Sequence, residues 1–480
     1  MRKAFRSIGN SKVIGYIAII FCIVIVPLTI GVFELPDSYF YLSLGRYFYT
    51  HQVVPINPYN NTKPQTLFGP VYGLIFSPIE SLSKPWGVAL IPTIQFVFLF
   101  LSAVMVYKSL RPSYSKKWSL LGATLFILLP FNTLYATFML SETLTQFFMA
   151  CYLFVLSRVF QRKTSWATPS LLVLISGIMT LTRYAYVLLL LVTIGWWVIW
   201  SIQHLKAMRK KPVTIFLHAP AIAGIGLIVI WMYFNYQING AWLLSVFSGR
   251  HLYDNVIVQG HFLPAENDKT LKPFLERVPR EFLFRPWWYS QLMFNDGIIP
   301  ETTVDRMFAQ VSYAAILHQP IPYAFHVIRM AFLMPATVPD YPQDMVTNLA
   351  ACQNTACLQC VDAPWRSCWT KSLCEPAIKS CQMQSLWAAW STSNILFYPY
   401  VTTGLFLLGC FGILIAFYRG NDFLKMVAGL FVLLHLFQSA TEWLVGRFLI
   451  PLYPLYAVLL IASLFTIFNV VKRLSRYRLT

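Results

Sequence analysis

The sequence predicts an all-α polytopic membrane protein of about ten transmembrane helices, with an extracytoplasmic, disulfide-containing, mainly helical loop domain. Three observations predict it. The chain of 480 residues is 57% hydrophobic and only 11% charged, against about 25% charged in a typical soluble domain. Several apolar runs approach the ~20 residues that cross a bilayer. The basic residues cluster at the ends of those runs, on alternate connections.

The spans are taken in order as 13–33, 86–107, 118–136, 141–158, 166–182, 184–203, 213–236, 395–417, 423–440 and 447–470. The first run, Val13 to Phe33, is too long for the core of a cleaved signal and lacks a small-residue cleavage site, so it is expected to stay as a span. The segment 320–336 is apolar but short, and it carries His326 and Arg329. Counting it as a span would invert everything after it and expose the basic tail to the outside. It is expected to be an interfacial or re-entrant helix.

The net charge of +19 would suggest nucleic acid if it formed a surface. It does not. Arg2, Lys3, Arg6 and Lys12 precede the first span, and Lys108, Arg111, Lys116 and Lys117 lie between the second and third. Arg158, Arg162 and Lys163 follow, then Lys206, Arg209, Lys210 and Lys211. Arg419 and Lys425 come later, and Lys472, Arg473, Arg476 and Arg478 close the chain. More than half of the 37 basic residues thus fall on one side, with Asp422 the lone acid among them. This is positive-inside topology. It places both termini in the cytoplasm, and the loops 34–85 and 237–394 outside, as in a bacterial inner membrane with its site facing the periplasm. The organisation expected is a transmembrane module over 1–236, a loop domain over 237–394 and closing helices over 395–480.

Six of the nine cysteines, Cys352, Cys357, Cys360, Cys368, Cys374 and Cys381, crowd the segment 352–381 of the outer loop. An even, dense set in an oxidising compartment suggests disulfides, with pairing left open. The rival, a zinc site on Cys357 and Cys360, finds no His between 343 and 394. No metal site is expected. A divalent metal would be chemically compatible with the function below, but nothing in the sequence supports one. Cys22, Cys151 and Cys410 sit inside spans as packed apolar residues.

Span interiors hold almost no charge. His218 and His435 are their imidazoles, and polar contact between helices is the simplest role for each. Charged residues inside the bilayer usually mark ion paths, so a proton-coupled transporter or lipid flippase is disfavoured. Charge gathers instead at outer span ends: Glu34 and Asp37, Glu142, Arg183, then Glu442 and Arg447. Carboxylates that can take a proton, next to arginines that can grip an anion, suit a reaction at the membrane–water boundary. Asn60-Asn61-Thr62 is a glycosylation sequon whose weight depends on the source.

These residues sit in stretches that resemble a known family. Pro36-Asp37-Ser38-Tyr39-Phe40-Tyr41 opens the first outer loop, and Phe68-Gly69-Pro70-Val71-Tyr72 follows. Leu140-Ser141-Glu142, Leu181-Thr182-Arg183-Tyr184, Asn235-Tyr236-Gln237-Ile238-Asn239-Gly240 and Gly446-Arg447-Phe448-Leu449-Ile450-Pro451 come in the same order as elements of the GT-C superfamily of membrane glycosyltransferases. The likeness is to the bacterial branch related to protein mannosyltransferases and aminoarabinose transferases, and it covers the chain except 260–390. Two departures stand out: Ser38 where many relatives have Glu, and Phe234 where some have Arg.

The resemblance implies an inverting transferase that takes a monosaccharide from a polyprenyl-phosphate sugar. The acceptor would be an extracytoplasmic glycan, glycolipid or protein: lipopolysaccharide, a cell-envelope polymer or a polypeptide. Asp37 would be the general base, although an Asp just before Ser38 can equally cap a helix starting there. Glu142 would orient an acceptor or position Arg183. Arg183 and Arg447 would hold the lipid phosphate, although arginines at span ends also snorkel. Tyr41, Glu34 and Asn235 would line the sugar or acceptor pocket. An envelope polysaccharide polymerase or ligase is the main alternative. No nucleic-acid partner is expected.

Overall fold

The structure is a computed structural model that describes residues 36–51, 66, 68–82, 86–129, 132–161, 167–209, 217–285, 301–337, 381–442 and 446–477. The expected first span, Glu34, the sequon and Cys352, Cys357, Cys360, Cys368 and Cys374 lie outside these residues. Among the described residues, regular structure is helical throughout.

Two helices come first, α1 (Pro36–Thr50) and α2 (Pro70–Ser81). They lie against each other, with Ser77 Oγ donating to Leu42 O at 2.7 Å. The bundle follows as α3 (Trp86–Leu110), α4 (Lys116–Leu128), α5 (Ser141–Phe160), α6 (Ala167–Thr182), α7 (Val187–Arg209) and α8 (Ala219–Asn239). A smaller unit has α9 (Ser248–Tyr253), a π-helical turn Asp254–Gln259, α10 (Leu271–Leu275), α11 (Glu301–His318) and α12 (Pro320–Leu333). Helices α13 (Cys381–Arg419), α14 (Asp422–Thr441) and α15 (Tyr453–Tyr477) close the chain, with a 3-10 helix Gly446–Leu452 leading into α15.

Seven helices among the described residues are long and apolar enough to cross a membrane. Two expected spans are shorter. The span expected over 118–136 is a helix only to Leu128, and a separate one-turn helix, Asn132–Tyr135, follows. Leu129, which precedes a proline in the sequence, is already out of the helical region with ψ at 140°, the conformation a residue before proline prefers. The span expected over 166–182 is the helix Ala167–Thr182. Helix α13, with 39 residues, runs without interruption through the loop-to-span boundary expected at 394–395. It is about 58 Å long at the usual helical rise, well beyond the ~30 Å hydrocarbon layer.

Helix α15 is the axis. Leu455, Ala457, Val458, Leu459, Leu460 and Ile461 are all buried, as expected of a helix apolar all round its circumference. The faces turned away from it keep exposed apolar residues, such as Leu191, Ile199 and Ile202 on α7 or Leu407, Phe411 and Leu414 on α13. Such faces suit lipid rather than water. Helices α6 and α8 touch at Gly177 and Gly224, where a Cβ on Gly224 would sit 2.8 Å from Leu174 Cα. Small residues of this kind let membrane helices approach closely.

The two span histidines join helices. His435 Nε2 meets Ala331 O at 2.8 Å, and Trp197 Nε1 donates to His218 Nδ1 at 3.1 Å. Tyr323 donates to Ala440 O at 2.6 Å. With the His435 contact, this runs α12 antiparallel to the last turns of α14, starting level with the C-terminal end of that span. Its exposed stripe is Ile321, Phe325, Ile328 and Phe332. The smaller unit has its own core around Tyr253, Val256, Ile257, Phe274, Phe308 and Val311.

Candidate active site

Pro36 occupies the first position of α1, where its missing N–H costs nothing. Asp37 is therefore inside the first turn and not at a cap before Ser38. There the helix dipole favours a negative charge. Tyr41 follows one turn later and shares that side of the helix. It is buried, and its hydroxyl lies 2.7 Å from Ser141 Oγ at the head of α5. Its ring packs against Phe68 and Tyr72, with centroids 4.6 and 5.2 Å away.

Glu142 follows Ser141 and is buried. Arg183, extended in the corner between α6 and the 3-10 turn Tyr184–Tyr186, donates through Nη1 to Glu142 Oε1 at 2.7 Å. The corner is fixed from the other side. Tyr184 donates to Phe68 O at 2.8 Å, and a Cβ on Gly69 would lie 2.0 Å from Leu181 O. Only glycine allows that approach. Two sequence stretches over a hundred residues apart thus interlock below Arg183.

The electrostatics converge on Tyr41. Burial pushes its hydroxyl well above its usual range; Arg183 opposes the shift, while Glu142 and Asp37 reinforce it. One hydroxyl therefore senses all three charged groups. Burial likewise raises Tyr72, with Glu142 adding to it. The Tyr72 hydroxyl and Glu142 Oε2 are buried without hydrogen-bond partners among the described residues. Buried polar atoms are nearly always satisfied, so two orphans beside a charged pair fit a place where a ligand hydroxyl would complete the bonding.

The opposite wall comes from the smaller unit and the end of α14. His251 Nδ1 lies 2.9 Å from Glu442 Oε2. Asn255, on the π-helical turn, donates to Ser439 O at 3.0 Å and Glu442 O at 2.7 Å. Phe247 stacks edge-on against His251 at 4.6 Å and lies 6.2 Å from Phe68, continuing the aromatic run from Tyr41. Gln438 donates to Tyr186 at 3.4 Å, and Tyr186 lies in electrostatic range of Arg183, Glu142 and Glu442. Beneath α9, Asp305 accepts from the Gly249 and Arg250 amides at 3.1 Å each and lies 3.6 Å from the Arg250 guanidinium. Burial raises the Asp305 carboxyl despite these partners.

Four sequence-predicted residues, Asp37, Tyr41, Glu142 and Arg183, therefore come together. Arg447 lies on the 3-10 helix Gly446–Leu452, which Gln146 of α5 holds by donating to Ile450 O at 2.9 Å. The Arg447 side chain and Glu34 lie outside what the structure describes. Asn235 is fully buried and bonds Leu244 O at 3.3 Å and Asn239 at 3.1 Å. Those bonds shape the turn leaving α8, and none of them reaches Tyr41 or Glu142. Cys381 opens α13, and its side chain lies outside what the structure describes. Among the described residues no three His, Cys, Asp or Glu side chains gather as a metal site.

The residues that sequence reasoning passed over are His251, Tyr186 and Gln438. A single His in an outer segment and polar groups at the ends of apolar runs carry no spacing signal. Leu405, Phe406, Phe431, Leu449, Tyr453 and Tyr456 line a partly open apolar pocket.

No family model and no curated protein matches the sequence. Among solved structures the chain is similar to the Archaeoglobus fulgidus oligosaccharyltransferase in complex with Zn and sulfate, at 14% identity and a TM-score of 0.41. That match covers 95% of this chain and 49% of the other, so the chain spans about half the length of that enzyme. It is also similar to ArnT from Cupriavidus metallidurans bound to undecaprenyl phosphate, at 14% identity and a TM-score of 0.37, over 95% of this chain and 78% of that one. Likeness at this level leaves the chemistry to be read from the chain's own residues.

Proposed function

We propose that the chain is a GT-C-type membrane glycosyltransferase. It moves a monosaccharide, with inversion, from a polyprenyl-phosphate sugar to an acceptor hydroxyl on the non-cytoplasmic face. The observation that carries this reading is the convergence on Tyr41: its hydroxyl touches Ser141 and senses Asp37, Glu142 and Arg183 together. Those groups come from three separate outer span ends, and their sequence stretches are the ones that resemble the superfamily.

In the proposed reaction the acceptor hydroxyl gives its proton to Asp37 as its oxygen bonds to the anomeric carbon. The bond from that carbon to the phosphate oxygen breaks, and the electron pair leaves with the phosphate. Phosphate leaves well, so no proton donor is required. Arg183 and Arg447 offset the growing negative charge. Glu142 fixes Arg183 and offers its unpartnered Oε2 to a sugar hydroxyl, as Tyr72 does with its hydroxyl. The apolar pocket next to the Arg447-bearing turn suits part of a prenyl chain. Acceptors of the lipopolysaccharide, wall-polymer and protein classes all present the required hydroxyl.

The test is reconstitution of the purified chain in liposomes with radiolabelled polyprenyl-phosphate sugars and envelope acceptors. Transfer of a single sugar that Asp37→Asn abolishes supports the proposal. Chain-length extension or block transfer that survives Asp37→Asn would favour the polymerase or ligase reading.

A further inference from the structure

The exposed face of α11 changes character along its length. Thr303, Arg306 and Gln310 begin it, Tyr313 follows and Leu317 ends it. The apolar run then continues on α12 as Ile321, Phe325, Ile328 and Phe332. Steps of three and four residues keep each set on one side of its helix. With Leu317 79% and Phe325 68% exposed, such a face is costly in water and marks a place where something apolar lies against the chain.

Two contacts say what covers it. His435 meets Ala331 O at 2.8 Å, and it stands six residues before Thr441, where the span α14 ends. At the usual helical rise the C-terminal end of α12 is thus about 9 Å inside the end of that span. Phe332 packs edge-on against Phe406 at 6.0 Å, within the span Tyr400–Arg419 of α13. The stripe on α12 therefore continues onto Leu407, Phe411 and Leu414, the exposed face of α13 that suits lipid. His318 and Arg329 are the exposed polar residues beside it. His318 stands at the corner before α12, whose N-terminal turn is level with the end of α14. Side chains lean toward the N-terminus of their helix, so the Arg329 guanidinium reaches back to headgroup level while its stem stays among apolar chains.

We infer that the face from Tyr313 of α11 to Phe332 of α12 is a membrane-docking surface whose partner is the lipid of the bilayer. Leu317, Ile321, Phe325, Ile328 and Phe332 lie among acyl chains, Tyr313 sits at the polar boundary, and Thr303, Arg306 and Gln310 stay in water. With 14 residues, α12 is about 21 Å long, too short to cross the ~30 Å layer. It enters beside α14 without traversing. The surface stands apart from the transferase reading, but it bears on the candidate site. Tyr323 bonds Ala440 O, and His326 lies against the Asn255 backbone, so the helix that enters the lipid also holds the end of α14 and the π-helical turn.

The test places the photoreactive p-benzoylphenylalanine singly at exposed positions of the full-length chain. The chain is reconstituted in vesicles of phosphatidylethanolamine and phosphatidylglycerol with tritiated acyl chains, then illuminated. At Ile321, Phe325 and Phe332 the chain should capture lipid at the yield seen for Leu407 on α13, and at Gln310 it should capture none. One exposed aromatic ring replaces another at Phe325 and Phe332, and thermal unfolding of each variant checks that the fold is kept. A covalent dimer at Phe325 in place of a lipid adduct assigns the face to a second copy and overturns the inference. Unlabelled Ile321, Phe325 and Phe332 variants beside a labelled Leu407 variant overturn it as well, as does equal labelling at Gln310. None of these outcomes alters sugar transfer by the wild-type chain, so the transferase reading is tested separately.

Discussion

Arg183 reaches Glu142 across 2.7 Å and 41 residues of sequence, tying the corner between two spans to the head of a third. Both side chains are nearly sealed from solvent. A buried pair of this kind is costly to break, because either partner left alone is an uncompensated charge. The pair therefore fixes the start of α5 and the end of α6 relative to each other.

Glu142→Gln should cost about 3 kcal/mol, since it removes the carboxylate's charge from a buried pair. Thermal unfolding in detergent measures this. Sugar transfer should fall with it, by about a hundredfold or more, as Arg183 loses its orientation.

Asp37→Asn should behave differently. Asp37 is only partly buried, in a first turn that tolerates an amide. Thermal stability and donor binding should stay near wild type, while turnover drops by about a thousandfold, the usual scale of a lost general base. Side-by-side unfolding and single-turnover kinetics separate the two variants.

Gly69→Ala should be worse than its size suggests. Its Cβ would meet Leu181 O at 2.0 Å, so Phe68 must withdraw and release Tyr184. A cost of about 1–3 kcal/mol follows from overpacking, and transfer should fall with it. Ala substitution at Gly226, where a Cβ meets nothing, is the control and should leave unfolding near wild type.

Asp305 predicts a pH signature. Burial raises its folded-state carboxyl above the unfolded value. Its contribution to stability is thus present in full below the unfolded pKa and lost as pH rises through the folded one. Asp305→Asn should remove that component, so the stability difference between wild type and variant narrows or reverses as pH rises from acid to neutral. Unfolding midpoints across that window check the sign.

Much of this arrangement is legible in the sequence, for physical reasons. Span ends are marked by where charge is allowed, and the charge pattern alone puts Asp37, Glu142 and Arg183 on one boundary. Other features are not legible. The end of α4 at Leu128 hides inside an apolar run, because hydropathy does not register the restriction a proline puts on the residue before it. Asp37 looks like a cap until Pro36 is seen to begin the helix. Asn235 is picked out by the family-like segment that leaves its span, and its bonds to Leu244 O and Asn239, which shape that turn, could not be read from the sequence. The His251–Glu442 pair joins segments nearly two hundred residues apart, and no local pattern announces such a contact.

The most direct measurement is single-turnover transfer from a polyprenyl-phosphate sugar by the reconstituted chain, with donor binding recorded in the same preparation. Wild type should bind and transfer, Asp37→Asn should bind and not transfer, and Glu142→Gln should lose both. Transfer at the wild-type rate by Asp37→Asn and Glu142→Gln alike would contradict the account.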